Sequence, residues 1–175
     1  DCALVSDGGA ALVVMSAAKA KELGVPAPVP VLGFGHGQTS YELPLRPSLT
    51  RTEAARAAHT AFAMAGARPQ DVDVAQLYDC FTITVLMTLE DYGFCRPGES
   101  AAFVADGALE HGGRLPLNTS GGLLSETGMP GMQLIIEGVR QMRGTARLQV
   151  PGAKLCVVSN QGGTMHTHAT LLLGN

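Results

Sequence analysis

The feature of this sequence that most constrains its fold is the alternation of short apolar runs with helical patterns. Runs typical of buried strands occur at ALVVM, VPVLGF, VDVAQLY, AKLCVV and ATLLLG. Between them lie the helical patterns SAAKAKEL, TEAARAAHTAFAMA, TITVLMTLEDY and MQLIIEGVRQMR. This order predicts an α/β domain in three layers, with helices packed on one sheet of mixed strand direction.

Capping residues and glycines indicate where the helices begin and end. Ser16 is placed to cap the first helix, and Gly24, Gly66 and Gly93 follow three helices at the position of a C-terminal stop. In MQLIIEGVRQMRG the apolar residues recur at helical spacing. That spacing places Glu137 on the polar face of an amphipathic helix.

Composition excludes several classes of function. The 175 residues are 46% hydrophobic and only 15% charged, which predicts that part of the surface is covered by another chain or domain. The net charge is −3 without a basic cluster, so we do not expect nucleic acid as a partner. No apolar run reaches the roughly 18 residues needed to span a membrane. The four cysteines lack CxxC spacing, which favours a reducing cytoplasm over a disulfide or zinc framework.

A phenol, a carboxylate, a thiol and an aromatic ring follow one another at Tyr78-Asp79-Cys80-Phe81, between a predicted strand and a helix. Asp79 is at the position of an N-cap for that helix. Cys80 has no neighbour in sequence that would lower its pKa, which favours a small buried side chain over a nucleophile. Phe81 is predicted to lie in the core or in a pocket wall.

Five segments in order resemble the C-terminal half of the thiolase superfamily. Residues 7–11 resemble its DGAAA strand, residues 70–75 resemble the segment before its catalytic loop, and Tyr78–Phe81 matches the HDCF form of that loop at three of four positions. Residues 118–122 resemble its NxxGG segment, and residues 159–163 stand where its CxGGG turn is expected. The HDCF form is the one found in thiolases of the sterol-carrier-protein type.

The resemblance implies the C-terminal half of an αβαβα layered fold. Residues 1–24 are expected to end the N-terminal thiolase domain, and residues 25–175 to form the C-terminal one. The half with the acyl-accepting cysteine is then missing, and we expect a protein about twice as long. The family also implies a CoA thioester as substrate rather than a permanently bound cofactor. A homodimer through the thiolase core and a small partner of the OB-fold type are the expected assemblies.

Two departures from the family pattern concern the chemistry. The loop that carries the GHP histidine in degradative thiolases contains Met129 here, and Asn160 stands where the turn cysteine is expected. The lipid-transfer-protein branch, which includes steroid side-chain aldolases, is closer to this pattern. It implies retro-aldol cleavage of a bulky β-hydroxyacyl-CoA. An ordinary acetyl-CoA acetyltransferase with its nucleophile in the missing half, and a non-catalytic lipid or acyl-CoA carrier, are the alternatives.

Tyr78 is the first predicted catalytic residue, because it stands where relatives have a histidine or asparagine that binds an oxygen. Its phenol can donate a hydrogen bond to such an oxygen or, with a lowered pKa, accept a proton. His168 is the second, and the N–H groups of Gly162 and Gly163 are predicted oxyanion donors. Asp79, Cys80 and Asn160 are further candidates.

Two more residues complete the predicted site. Glu126 precedes the loop of the lost histidine and is a candidate replacement for that base, with a solvated loop carboxylate as the alternative. His166 and His168 are two residues apart, so both point to one face if the segment is extended. No third ligand is evident, and no metal site is predicted.

Overall fold

The computed structural model describes residues 1–129 and 131–175, so Pro130 of the predicted glycine-rich loop lies outside the described residues. One sheet has the strand order β1-β4-β3-β2. Its strands are β1 (Val31–Gln38), β2 (Val74–Gln76), β3 (Leu155–Gly162) and β4 (Thr167–Gly174). Strand β4 runs antiparallel to β1 and β3, whereas β2 runs parallel to β3. The predicted mixed sheet is confirmed.

Helices cover both faces of this sheet. They are α1 (Ala17–Glu22), α2 (Ala54–Ala65), α3 (Thr82–Tyr92), α4 (Ser100–Ala105), α5 (Gly122–Ser125) and α6 (Met132–Arg143), with 3₁₀ turns at Leu43–Leu45 and Pro69–Asp71. Apolar residues of α2 and α3 share one core with one face of the sheet, and α6 packs on the other face. The predicted α/β layers are confirmed. Within the described residues, no helix is both long enough and apolar enough to cross a membrane.

The helix ends predicted at Ser16, Gly66 and Gly93 are those observed. The Ser16 hydroxyl accepts a hydrogen bond from the Lys19 amide at 3.2 Å, as an N-cap does. Gly66 and Gly93 directly follow α2 and α3 with φ of 65° and 81°. In this left-handed region a side chain is strained, so glycine ends each helix at low energetic cost.

Glycines in β1 allow α2 to lie directly against the strand. Gly33, Gly35 and Gly37 alternate along β1 and face α2. A Cβ atom at Gly35 would collide with the backbone carbonyl of Ala57, and one at Gly33 with that of Ala61. The short side chains on both elements therefore set the distance between this helix and the sheet.

The ALVVM run, residues 11–15, does not form the predicted strand. Val13 and Val14 are 83% and 87% exposed, and their segment joins no sheet among the described residues. The N-terminal segment is attached near its start, where the Ala3 amide donates to the Cys80 carbonyl at 2.9 Å. A strand needs a neighbour for its backbone hydrogen bonds, and the described part of the chain provides none for this run.

The predicted polar position of Glu137 is also wrong, because its side chain is buried beneath α6. The Glu137 carboxylate accepts hydrogen bonds from the Thr119 hydroxyl at 2.6 Å and from the Gln141 amide at 3.1 Å. These two partners replace water around the carboxylate. A helical pattern alone does not reveal such compensation.

Candidate active site

The site lies where the carboxyl ends of the parallel strands β2 and β3 meet. The Tyr78–Phe81 segment follows β2, and Ser159 and Gln161 lie in the C-terminal half of β3. The Tyr78 amide donates to the Ser159 hydroxyl at 3.0 Å, and the Gln161 side-chain amide donates to the Cys80 sulfur at 3.5 Å. Two motifs that are about 80 residues apart in the sequence are thus joined by two hydrogen bonds.

A third motif is joined to the same place by Asn118. Its side-chain oxygen accepts from the Leu77 amide at 2.8 Å, and its side-chain nitrogen donates to the Leu77 carbonyl at 2.9 Å. The Asn118 amide therefore supplies both hydrogen bonds that a neighbouring strand would supply. Asn118 has a φ of 47°, a region in which asparagine is among the better tolerated residues. The backbone just before Tyr78 is fixed in this way.

Asp79 was predicted to cap α3, and this prediction is wrong. The N-cap position of α3 is Phe81, since the backbone stays extended to that residue. The buried Asp79 carboxylate instead accepts from the Leu123 amide at 2.7 Å at the start of α5. A Cβ atom at Gly122 would collide with this carboxylate, so the neighbouring motif requires glycine there. Asp79 connects the Tyr78 segment to α5.

Tyr78 is half-buried, and its surroundings favour the protonated phenol. Burial raises the pKa of Tyr78, and the nearby Cys80 and Asp79 raise this pKa further. Of the two predicted roles, hydrogen-bond donation fits this direction, whereas proton abstraction requires a lowered pKa. Cys80 is half-buried beside it, and Phe81 is 48% exposed rather than in the core.

His168 lies on the face of β4 that α2 covers, beside the last residue of α3, Tyr92, and is only 1% exposed. Its Nε2 atom is 2.9 Å from the Tyr92 hydroxyl, which is also 2.6 Å from the Thr170 hydroxyl. Burial, followed by the neighbouring His36, lowers the pKa of His168 to about 4, so the ring is neutral at pH 7. Sequence reasoning missed Tyr92, whose position at the end of a helix indicated only packing.

His166 lies in the turn before β4, so the extended geometry with both histidines on one face is not formed. The His166 ring packs edge-on against Tyr41, with ring centroids 4.9 Å apart. A Cβ atom at Gly163 would collide with this ring, and Gly163 has a φ of 58°. Gly162 pairs with Thr167 at the end of the β3–β4 ladder.

The two remaining candidates lie on other sides of the site. Asn160 and Gln161 are neighbours in β3, so their side chains point to opposite faces of the sheet. A Cβ atom at Gly131 would collide with the Asn160 side chain. Glu126 is exposed and lines a cavity of about 280 Å³ with Met129 and Arg140. Within the described residues, no three His, Cys, Asp or Glu side chains are close enough to hold a metal ion.

Comparison with known proteins finds a matching family model and similar proteins over most of the chain. A family model described as thiolase C-terminal domain-like matches residues 35–175. A 17-hydroxy-3-oxo-4-pregnene-20-carboxyl-CoA lyase of Mycobacterium tuberculosis is 42% identical over 99% of this chain and 46% of its own length. A steroid side-chain-cleaving aldolase of Thermomonospora curvata is 42% identical over 98% of this chain and 45% of its own.

A solved structure described as an Ltp2-ChsH2(DUF35) aldolase superposes with a TM-score of 0.79 at 38% identity. The match covers 85% of this chain and 40% of that one. This chain thus spans less than half the length of the curated relatives it matches. On the family model and the two relatives, this chain is a member of the thiolase C-terminal domain-like family.

Proposed function

We propose that this chain forms part of an enzyme that cleaves a carbon–carbon bond in a bulky β-hydroxyacyl-CoA by a retro-aldol reaction. The observation that carries the proposal is the position of Tyr78 at the meeting point of three motifs, where burial raises the pKa of its phenol. Met129 and Asn160 occupy the positions where the thiolase bases are expected. Two relatives named as a carboxyl-CoA lyase and a side-chain-cleaving aldolase support this direction.

The reaction requires a base and a group that stabilises an enolate. A base removes the proton of the β-hydroxyl group, the Cα–Cβ bond breaks, and the β-carbon leaves as a carbonyl compound. The bonding electron pair passes to the thioester enolate, which then takes a proton at Cα to give the shorter acyl-CoA. No free CoA is consumed and no acyl-enzyme is formed, in contrast to acyl transfer by a thiolase.

We assign these roles to the residues at the site. Tyr78 donates a hydrogen bond to the thioester oxygen as negative charge develops there, together with the amides of Gly162 and Gly163. Glu126, exposed beside the Met129 loop, is the base for the hydroxyl proton. His168 is too deeply buried for direct contact with a substrate, so its part is to position other groups.

We further propose that residues 1–24 belong with an N-terminal thiolase half that completes the site. The exposed apolar residues Val13 and Val14 and the partial coverage of the relatives support this division. A homodimer through the thiolase core and a small OB-fold partner complete the proposed assembly, and the paired name of the Ltp2-ChsH2(DUF35) structure supports a partner. The CoA thioester binds as substrate. Four free cysteines fit a cytoplasmic location.

The test uses the complete enzyme, in which this chain is joined to its N-terminal half. A β-hydroxyacyl-CoA is supplied without and then with free CoA, and both products are quantified. We expect cleavage without CoA, and a kcat reduced on the order of 10²–10³-fold by Tyr78→Phe. Tyr41→Phe, which removes a hydroxyl group from an exposed tyrosine, is the matched control.

Each alternative function gives a different result in this assay. Strict dependence on free CoA, with a covalent acyl-enzyme detected by mass spectrometry, would establish an acetyltransferase and reject the aldolase. Stoichiometric binding of the acyl-CoA without any turnover would establish a carrier. Full activity of Tyr78→Phe would remove the phenol from the mechanism.

A further inference from the structure

We infer that Gln161 is a second side-chain hydrogen-bond donor of the site, oriented by Tyr92 through one defined tautomer of His168. The inference rests on the proposed function, because the donor would serve the same thioester oxygen as Tyr78. It adds a substrate-contacting residue, Gln161, and two positioning residues, Tyr92 and His168.

The hydrogen bonds at the buried Tyr92 hydroxyl determine which way its own proton points. This oxygen is 2.9 Å from His168 Nε2 and 2.6 Å from the Thr170 hydroxyl. Within the described part of the chain, the Thr170 hydroxyl bonds only to Tyr92, so it must donate to the Tyr92 oxygen or leave a buried donor unpaired. The Tyr92 hydroxyl is also a buried donor, and within the described residues its other hydrogen-bonding partner is His168 Nε2.

The Tyr92 hydroxyl carries a single proton. Since Tyr92 accepts from Thr170, its own proton is directed to His168 Nε2. The ring of His168 is neutral at pH 7, and a neutral imidazole that accepts at Nε2 carries its proton on Nδ1. The buried hydroxyl cluster therefore selects the Nδ1–H tautomer.

His168 is linked to the site through Gln161. His168 and Gln161 are register partners in the β3–β4 ladder and therefore lie side by side on one face of the sheet. His168 Nδ1 and Gln161 Oε1 are both buried without a hydrogen-bond partner. The first is a donor in the selected tautomer and the second is an acceptor, so a small rotation of the Gln161 side chain or one bridging water connects them.

This connection fixes which end of the Gln161 amide faces the site. With Oε1 held by His168, the NH₂ group is turned toward Cys80, where it makes the 3.5 Å contact with sulfur. Cys80 is close enough to Tyr78 to raise the pKa of its phenol. The opposite tautomer of His168 would attract the NH₂ group instead and present the amide oxygen to the site. The proton on His168 thus decides whether this position stabilises or repels a developing enolate.

The decisive measurement is the tautomer of His168 by ¹⁵N NMR of the imidazole ring in the complete enzyme, without substrate, at neutral pH. We expect the proton on Nδ1 in the wild-type chain and in Thr170→Val, because Tyr92 still donates to Nε2 when Thr170 is lost. Tyr92→Phe removes that donor and should give a mixture of tautomers. A wild-type ring protonated on Nε2 would overturn the inference.

Steady-state kinetics of the complete enzyme test the role of Gln161. We expect Gln161→Leu to lower kcat on the order of 10²-fold with little change in KM, and Tyr92→Phe to lower kcat less. Unchanged kcat in Gln161→Leu would overturn the assignment of this donor. Because the tautomer is measured without substrate, its outcome is independent of whether the cleavage reaction proposed above is correct.

Discussion

Replacing His168 by glutamine should flatten the pH dependence of stability on the acid side. The pKa of His168 is lowered from 6.5 to about 4 in the folded chain, mainly by burial. The unfolded chain therefore takes up a proton near pH 6.5, which the folded chain does not take up until near pH 4. The neutral His168 therefore favours the folded chain fully above pH 6.5, the pKa in the unfolded chain, and this contribution to the free energy of unfolding is lost as the pH falls towards 4. Linkage between about pH 7.5 and about pH 4.5 gives a loss of about 2.5 kcal/mol from this residue.

The assay is urea unfolding of both chains at intervals across this pH range. Other titrating groups, including Asp91, whose pKa is raised by burial, are present in both chains and cancel in the difference. His168→Gln should be less stable at pH 7.5, because the Tyr92 hydroxyl loses its imidazole partner. The gap between the two chains should close by about 2.5 kcal/mol on acidification. Parallel stability curves would show that the imidazole titrates normally and would refute its burial as a neutral ring.

Two further substitutions test the packing and the connections of the site. Gly35→Ala should destabilise the chain by about 3 kcal/mol in urea unfolding, because its Cβ meets the Ala57 carbonyl, whereas Gly9→Ala, with open space around it, should change little. Asp79→Ala should cost about 1–2 kcal/mol, because the Leu123 amide loses its acceptor. It should also lower kcat of the complete enzyme, and a wild-type kcat would show that Asp79 does not hold Tyr78 in place.

The elements that sequence reasoning predicted well are those whose signals are local. Periodicity and a terminal glycine determine α3, and the predicted start at Thr82 and end at Tyr92 agree with the structure. The strands β3 and β4 are likewise apolar runs that remain paired within this chain. The ALVVM run carries an equally strong local signal, yet its residues stay exposed. Local pattern indicates what a segment is able to form, whereas pairing depends on a neighbour that lies elsewhere.

The site was predicted as a set of motifs but not as a set of contacts. Tyr78 and residues 159–163 were predicted to belong to one site because the family resemblance fixes their order, and the Tyr78–Ser159 hydrogen bond brings these two segments together. The burial of His168 and its bond to Tyr92 depend on how α3 lies across the sheet. That placement follows from side-chain packing between distant segments, which residue spacing does not encode. Gln161 was passed over because its neighbours Asn160 and Gly162 matched the family turn more closely.

The way in which the chain holds Tyr78 explains why reactive residues are placed directly before a helix. Three consecutive residues are each bound to a different segment: Leu77 to Asn118, Tyr78 to Ser159, and Asp79 to the start of α5. The backbone is thereby fixed on three sides without use of the phenol. On the Tyr78 segment these bonds are made by the backbone and by the Asp79 carboxylate, so none of them uses the Tyr78 hydroxyl, the group that we propose contacts the substrate. We therefore propose a structural role for the Asp79 carboxylate, which accepts from the Leu123 amide and in this way keeps the neighbouring phenol in place.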